Sequence, residues 1–293
     1  MKPAVFLKFF ACMIVALFLV SCAQALKTNE RRTSPFPDSS KPVPGPDSAK
    51  VEELLRGSPD GLNQARQILT SYEKRLGRGG DARVRDLAEL ARICFLLGEL
   101  GDKQSSEQYF EKGRYYAELL SAEQPGRVEG HYWLALNLAG LAQCGRASRG
   151  LRLVPAIVEK LQVALTLDEA YDQAGPHRIL GRVYCEAPPW PLSEGDLGKS
   201  LQHLRVAVEL APQNSTNHLY LAGTLAQLGK SNEAYTELQQ VLACTNHAIS
   251  RRNLEEDHKE AVGLLKQYEN PEQSATNAES EEQRLAVGPA SSK

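Results

Sequence analysis

The sequence predicts an all-α domain in which helical hairpins stack side by side. One helix pattern, Ser200, Leu204 and Ala207, recurs 34 residues later at positions 234, 238 and 241. Apolar residues follow one another at intervals of three and four, as on the buried face of a helix, and no alternating pattern typical of strands competes with this. Because a single hairpin would leave an apolar face in water, the hairpins have to stack. The sequence therefore predicts a helical solenoid.

The spacing of the repeat is uneven, and this unevenness locates insertions in two hairpins. A helix-turn-helix period of 34 residues is typical of tetratricopeptide repeats. The partner helices, with Leu180 and Leu221 in equivalent positions, lie 41 residues apart instead. The seven additional residues fall within 186–196, which is rich in proline, and a second lengthened hairpin is expected around 144–150. The predicted fold class is a superhelical stack of divergent tetratricopeptide-like hairpins with inserted loops.

Further helices are expected on both sides of the clear pair. A first helix carries Ala65, Leu69 and Tyr72; the next two carry Leu87, Leu90, Ala91 and Cys94, and then Phe110, Gly113, Ala117 and Leu120; another begins near Glu129 with Trp133, Leu136 and Gly140; its mate carries Ile157, Leu161 and Ala164; and a last helix covers 254–267. Small residues, among them Gly181 and Ala207, are expected where the two helices of a hairpin approach closely.

Residues 1–21 have the features of a bacterial export signal. Lys2 and Lys8 precede 12 consecutive apolar residues, a run too short to span a bilayer comfortably. The end of the run and the next two residues, Leu19-Val20-Ser21-Cys22, resemble a lipobox, so Cys22 is predicted to carry lipid, including palmitate. Residues 23–25 fit ordinary signal cleavage instead. Both routes export the chain, and a lipidated Cys22 followed by Ala23 indicates the outer membrane, with the domain facing the periplasm.

The chain after the signal divides into three parts by composition. Residues 22–48 form the lipid anchor and a tether with five prolines, which favour an extended conformation and build no core. Residues 49–269 form the helical domain. Residues 270–293 are rich in Glu, Gln, Ser and Ala without periodicity, so we expect a disordered tail.

Composition and motifs argue against several classes of function. The 34 basic and 36 acidic residues leave no concentrated basic face for nucleic acid. No CxxC or HExxH motif indicates a metal site, and no nucleophile is paired with a base. The sequence therefore predicts a protein that is not an enzyme and has no cofactor. Cys144 and Cys185 fall near the ends of consecutive first helices, and this proximity makes a disulfide between them one alternative. The other alternative is that both remain free thiols.

The central residues resemble a known family. The spacing of Leu167-Asp168, Tyr171, Gly175-Pro176, Leu180-Gly181 and Tyr184, followed by Pro189, Pro191, Ser193 and Gly195-Asp196, is similar to the T-component lipoproteins associated with TRAP (tripartite ATP-independent periplasmic) transporters. The resemblance implies a hydrophobic ligand in an internal pore and oligomerisation with a substrate-binding partner, and we also consider a homo-oligomer. The family offers no catalytic residues to transfer.

Seven residues are candidates for ligand binding, each with an alternative role. The candidates are Tyr132, Trp133, Tyr171, His177, Arg178, Tyr184 and Trp190. Core packing is the alternative for the tyrosines and Trp133, and a solvated or capping role is expected for His177 and Arg178. Trp190 is expected to be buried, either as a plug of the inserted loop on neighbouring helices or as the wall or lid of a cavity.

Three functions are compatible with these features. The first is a ligand-binding accessory lipoprotein with an apolar pocket, for which a closed aromatic cavity behind Trp190 would be evidence. The second is a scaffold of envelope assembly that binds a protein or peptide in an open groove. The third is a hydrolase whose site forms only in the fold, which clustered acidic or histidine residues at the base of a pocket would indicate.

Overall fold

Ten helices and no strand make up the part of the chain that the structure describes. The structure is a computed structural model that describes residues 50–51, 53–54, 60–77, 79–144, 147–245 and 251–269. The signal peptide, Cys22, the tether and the C-terminal tail lie outside these residues. In chain order the helices are α1 Gly61–Arg75, α2 Asp81–Leu100, α3 Ser106–Glu123, α4 Val128–Cys144, α5 Ala147–Leu167, α6 Tyr171–Glu186, α7 Leu197–Leu210, α8 Ser215–Gln227, α9 Ser231–Ala243 and α10 Arg251–Glu269.

The helices pack as a row of antiparallel hairpins. Helix α2 pairs with α3, α4 with α5, α6 with α7 and α8 with α9, while α1 packs on α2 at one end and α10 on α8 and α9 at the other. The first helices of successive hairpins also contact one another, α2 with α4 and α6 with α8. This arrangement confirms the predicted stack of helical hairpins, and each helix predicted from its apolar face is present.

Close approach of α6 and α7 explains the small residue at position 181. A Cβ atom built on Gly181 would collide with Cγ of Leu204, which is fully buried. Ala207, which the sequence analysis expected at such a contact, is buried as well, and so are Ala222 and Ala234. The small residues therefore set the distance between the helices of a hairpin, as predicted.

The hairpin insertion expected around 144–150 is not a loop throughout. From residue 147 onward it is part of a helix. Helix α5 begins at Ala147 and runs for 21 residues. Its first turns pack against α4: a Cβ on Gly150 would come within 2.8 Å of the carbonyl oxygen of Ala142. Because Leu153 and Val154 of these turns pack against the hydrophobic core, this segment gains more from a helix than from an exposed loop.

The proline-rich insertion between α6 and α7 is a loop, as predicted, and it has a narrow neck. The backbone N–H of Gly195 donates to the carbonyl of Pro188 at 2.9 Å, and that of Asp196 donates to the carbonyl of Tyr184 at 2.9 Å. The Asp196 side chain then accepts from the backbone N–H of Lys199 at 3.0 Å and caps α7. The residues between Pro188 and Gly195 thus project from two closely paired segments of backbone.

The four cysteines of the described domain have free thiols. Cys94 and Cys244 are buried, Cys144 is exposed and Cys185 is half-buried. A disulfide between Cys144 and Cys185, one of the two alternatives from the sequence, is not formed; Cys185 Sγ instead accepts from Nε2 of Gln227 at 3.2 Å. No helix among the described residues has the length and apolar character needed to cross a bilayer.

Substitution of two helical glycines tests the role of close approach. We expect Gly181→Ala to lower the free energy of unfolding by about 1–2 kcal/mol, because overpacking against Leu204 outweighs the gain in helix propensity. Gly223 in α8 is the control: a Cβ there meets nothing within 4 Å, so Gly223→Ala is expected to add about 0.5–1 kcal/mol. Urea unfolding followed by circular dichroism measures both, and two changes of the same sign would contradict the packing argument.

Candidate ligand-binding cavity

Six helices line a cavity of about 800 Å³. Helices α2, α4, α5 and α6 provide most of its wall, α8 and α10 contribute Thr216, Tyr220, Glu256 and Asp257, and the neck of the inserted loop contributes Ala187 and Pro188. The cavity is therefore a product of the whole stack, since all four hairpins and the last helix face it.

Most of the wall is apolar. The apolar lining consists of Phe95, Leu96, Leu100, Trp133, Leu136, Leu151, Val154, Ile157, Ile179 and Val183. An aromatic cluster continues behind it: the ring centroids of Phe95 and Trp133 are 5.8 Å apart, and Tyr132 packs edge-on against Trp133 and Tyr171 at 5.2 and 5.0 Å. Aromatic pairs in such geometry are rigid, so this wall is largely preformed.

One polar corner of the cavity is built on Arg178. Its guanidinium donates to the backbone carbonyls of Asp172 and Gln173 at 3.2 and 3.0 Å and to the Asp172 carboxylate at 3.1 Å. The Tyr132 hydroxyl donates to the same carboxylate at 2.6 Å, and burial together with Asp172 raises the pKa of Tyr132, so the hydroxyl keeps its proton. Asn217 accepts from Arg178 at 3.3 Å.

Arg178 supports a turn of unusual backbone conformation. Asp172, Gln173 and Ala174 have φ angles of 50°, 57° and 62°, a left-handed region that residues other than glycine rarely adopt. Right-handed helix begins at Gly175. The expectation of a solvated Arg178 is wrong, since its side chain is 12% exposed. The alternative of a capping role fits its bonds to the backbone carbonyls of the turn, and side chains of α4 and α8 complete its partners inside the fold.

Other charged side chains also line the cavity. Arg182 donates to Glu186 at 2.7 Å and to the Tyr220 hydroxyl at 2.9 Å. Asp257 accepts from Ser215 and Thr216 at 2.6 and 2.7 Å, and burial raises the pKa of its carboxyl group. Glu99 also lines the cavity. Desolvation by the surrounding protein raises the pKa of its carboxyl group.

The structure separates the seven predicted residues into two groups. Tyr132, Trp133 and Arg178 line the cavity. Tyr171 lies behind them, where its hydroxyl accepts from Nε1 of Trp133 at 3.0 Å and so fixes the indole ring. Tyr184 is buried and stacks on His203 with ring centroids 5.7 Å apart, away from the cavity lining.

His177 is buried rather than solvated, contrary to the expectation. Its Nδ1 atom lies 3.0 Å from Nδ1 of His203, so one imidazole donates to the other, and its Nε2 atom is 3.7 Å from Glu169. Burial lowers the pKa of both histidines; for His203, with the further effect of His177 and Lys199, it lies at about 4. The pair links α6 to α7 and does not line the cavity.

The expected burial of Trp190 is also wrong. The side chain is 85% exposed, and the neighbouring Leu192 is 73% exposed. Both sit at the tip of the inserted loop, which its narrow neck holds away from the helices. Trp190 therefore neither plugs the loop onto the domain nor forms a lid; the residues of this loop that line the cavity are Ala187 and Pro188.

Several lining residues were missed from the sequence. Arg92 and Glu99 stand on the apolar face of α2, one turn before and one turn after Phe95 and Leu96. The signal that would have identified them is a charged residue within an apolar helical face. Tyr220 and Asp257 carried no such signal, because only the stacking of α8 and α10 brings them to the cavity.

The arrangement suits binding. Within the described ranges no group of three or more His, Cys, Asp or Glu residues has the geometry of a metal site. Apolar walls with a few placed polar groups are the usual composition of a small-molecule site.

Comparisons with known proteins agree with this fold. A family model described as "TRAP transporter T-component" matches residues 72–270. The structure is similar to that of a thermophilic tetratricopeptide-repeat protein of Thermus thermophilus, with a TM-score of 0.52 and 19% sequence identity over 74% of this chain and 98% of the other. That likeness shows the fold alone. A search of curated proteins finds no match.

Removal of the Arg178 guanidinium tests the polar corner. We expect Arg178→Met to lower the free energy of unfolding by about 3 kcal/mol, because Asp172 and the left-handed turn lose their buried partner. Arg205→Met is the matched control, since Arg205 pairs with Glu233 on the surface and such pairs contribute about 0–1 kcal/mol. Similar losses in urea unfolding of the two variants would show that Arg178 has no special role.

The histidine pair predicts a pH dependence of stability. In the unfolded chain the imidazole of His203 binds a proton near pH 6.5, whereas in the folded protein its pKa is about 4. Acidification below pH 6.5 therefore favours unfolding. We expect the loss of stability between pH 7 and pH 5 to be about 1 kcal/mol smaller in His203→Asn than in the parent.

His218 provides a contrast of opposite sign. Burial opposes its charge, but hydrogen bonds to Glu237 and the Pro212 carbonyl raise the pKa of His218 overall. Its contribution is fully present below pH 6.5 and is lost as pH rises through the folded pKa, so His218→Asn should cost more stability at pH 5 than at pH 8. Parallel pH profiles for the two variants would contradict both assignments.

Proposed function

The chain belongs to the TRAP transporter T-component family, and we propose that it is a cell-envelope binding module that holds an apolar small ligand in its central cavity and assists a periplasmic substrate-binding protein. Neither this family nor the tetratricopeptide fold is a catalytic one, and we propose no catalytic role.

The cavity is the observation that supports this function. Its volume of about 800 Å³ falls within the range of about 300–1,000 Å³ that small-molecule sites occupy. Apolar side chains form most of its lining, and the polar groups at the Arg178 corner are paired within the protein. Such a wall favours a ligand that buries apolar surface, and each methylene buried contributes about 0.8 kcal/mol.

The proposed location follows from the family and the N-terminal sequence. T-components act on the periplasmic side of the envelope. We propose that Cys22 carries the lipid and that the domain is tethered to the outer membrane, which the lipobox-like residues before Cys22 and Ala23 after it support. Ordinary cleavage after Ala25 is the competing route.

A scaffold lipoprotein that binds a protein partner is the second candidate function. The inserted loop favours it, because Trp190 and Leu192 are the two most exposed large apolar side chains among the described residues. Exposed tryptophan is typical of interaction hot spots. The two functions are compatible, since the neck of this loop lines the cavity whereas its exposed tip does not.

Filling the cavity tests the proposed ligand. We expect native mass spectrometry of the chain without its signal peptide and lipid to retain a small apolar molecule. Ala139→Trp should displace it, because Ala139 lines the cavity and the indole would occupy the ligand space. Ala147→Trp, at an exposed lining position in the first turn of α5, is a second variant with less effect on the core.

The matched control is Ala226→Trp, which adds the same ring at an exposed position of α8 outside the cavity. Retention of the molecule in every variant would place it elsewhere on the chain. Crosslinking that recovers a protein partner, together with no bound molecule in the parent, would favour the scaffold instead.

A further inference from the structure

We propose that Arg92 is the head-group site of the cavity and that the ligand is an amphipathic monoanion, a single carboxylate on an apolar tail. This inference rests on the proposed function, because it names the chemical class of the molecule that the cavity holds.

Arg92 differs from the other arginines of the cavity in having no acceptor among the described residues. Its Nε atom is buried and makes no hydrogen bond. Its guanidinium makes no ion pair with any residue that the structure describes, whereas Arg178 has Asp172 and Arg182 has Glu186. The partner of Arg92 within this part of the chain is the face of Trp133, with the guanidinium carbon 5.5 Å from the ring centroid.

The nearby carboxylates do not neutralise this charge. Asp172 is held by Arg178 and the Tyr132 hydroxyl. Glu129 pairs with Arg127 at 2.6 Å. Glu89, one turn earlier on α2, has interactions of its own. A cation is thus left on the wall of a largely apolar cavity.

A carboxylate is the chemistry that this cation lacks. Burying a polar donor without an acceptor is unfavourable. The planar guanidinium offers two parallel N–H groups to a carboxylate, and such charge-assisted pairs are about twice as strong as neutral hydrogen bonds. The Trp133 ring, fixed by Tyr171, lies against the guanidinium of Arg92 at 5.5 Å and so limits the positions that this donor can take.

The other lining residues near Arg92 favour an apolar tail on the ligand. Phe95 and Leu96 follow Arg92 by one turn of α2, and Leu136 and Val154 of the neighbouring helices face the same space. A tail that starts at Arg92 therefore runs over apolar side chains.

The far end of this path disfavours a second charged carboxyl group. Glu99 lies seven residues after Arg92 on the same face of α2, a rise of about 10 Å, and no described group makes a hydrogen bond or ion pair with it. Desolvation raises the pKa of the Glu99 carboxyl group against the opposing effect of Arg182. Arg182 is already held by Glu186 and Tyr220, so a second carboxylate on the ligand would lose its water there without gaining a free cation. The cavity is thus expected to prefer a monoanion to a dicarboxylate of the same length.

The test compares three ten-carbon probes that differ only in their ends: decanoate, 1-decanol and decanedioate. Displacement of the fluorescent dye N-phenyl-1-naphthylamine from residues 23–293 reports their affinities. We expect decanoate to bind roughly 10-fold more tightly than either other probe. Arg92→Gln should weaken decanoate by roughly 10-fold and leave decanol unchanged, and Arg92→Lys should recover part of the loss.

Arg85→Gln is the control, because Arg85 is an exposed residue of the same helix. If the parent binds none of the probes, the proposed apolar ligand itself is refuted. If decanoate and decanol bind equally and Arg92→Gln changes neither, the apolar cavity stands and the head-group site is refuted. If Arg92→Gln weakens decanoate and decanol alike, Arg92 maintains the shape of the cavity, and the inference is overturned.

Discussion

The buried guanidinium of Arg178 is the contact on which the geometry of the cavity depends. It bonds to the left-handed turn at the start of α6, to the carboxylate that Tyr132 of α4 also binds, and to Asn217 of α8. Three successive hairpins thus meet at one charged group. Because a buried charge has to keep its partners, it fixes their spacing more strictly than apolar packing would, since apolar side chains repack when a helix shifts.

Most polar groups of the cavity have hydrogen-bond partners within the protein, so a group without one is informative. Arg178, Arg182, Tyr132 and Asp257 have their partners within the protein, so a ligand finds little unused hydrogen-bonding capacity at those corners. Arg92 is the opposite case, with a buried Nε atom that makes no hydrogen bond. In a largely apolar wall, a cation without an acceptor among the described residues determines both which end of a ligand enters and where that end stops.

The fold was predictable from the sequence, whereas the site was predictable only in part. Periodic apolar residues and the 34-residue recurrence determine hairpins by local and nearest-neighbour packing, and those are present. Trp190 was placed inside because tryptophan is usually buried, but the backbone pairing of the loop neck overrides that tendency. Arg178 was placed outside because its partner Asn217 lies 39 residues away, a distance that no helical periodicity reports. Arg92 left a visible signal, a charge on an apolar face of its own helix, whereas its contact with Trp133 of α4 is visible only in the fold.

Helix α6 shows how an uneven repeat concentrates specific features in one element. Its first turn is left-handed and held by Arg178, its middle contributes Ile179 and Val183 to the cavity, and its end leads into Ala187 and Pro188 at the neck of the loop. The left-handed turn at one end and the insertion at the other both depart from a regular repeat. A regular hairpin would pack equally well in the stack, so these departures are not needed for stacking. They instead shape one wall of the cavity and place Trp190 outside it, which separates the proposed ligand surface from the proposed partner surface.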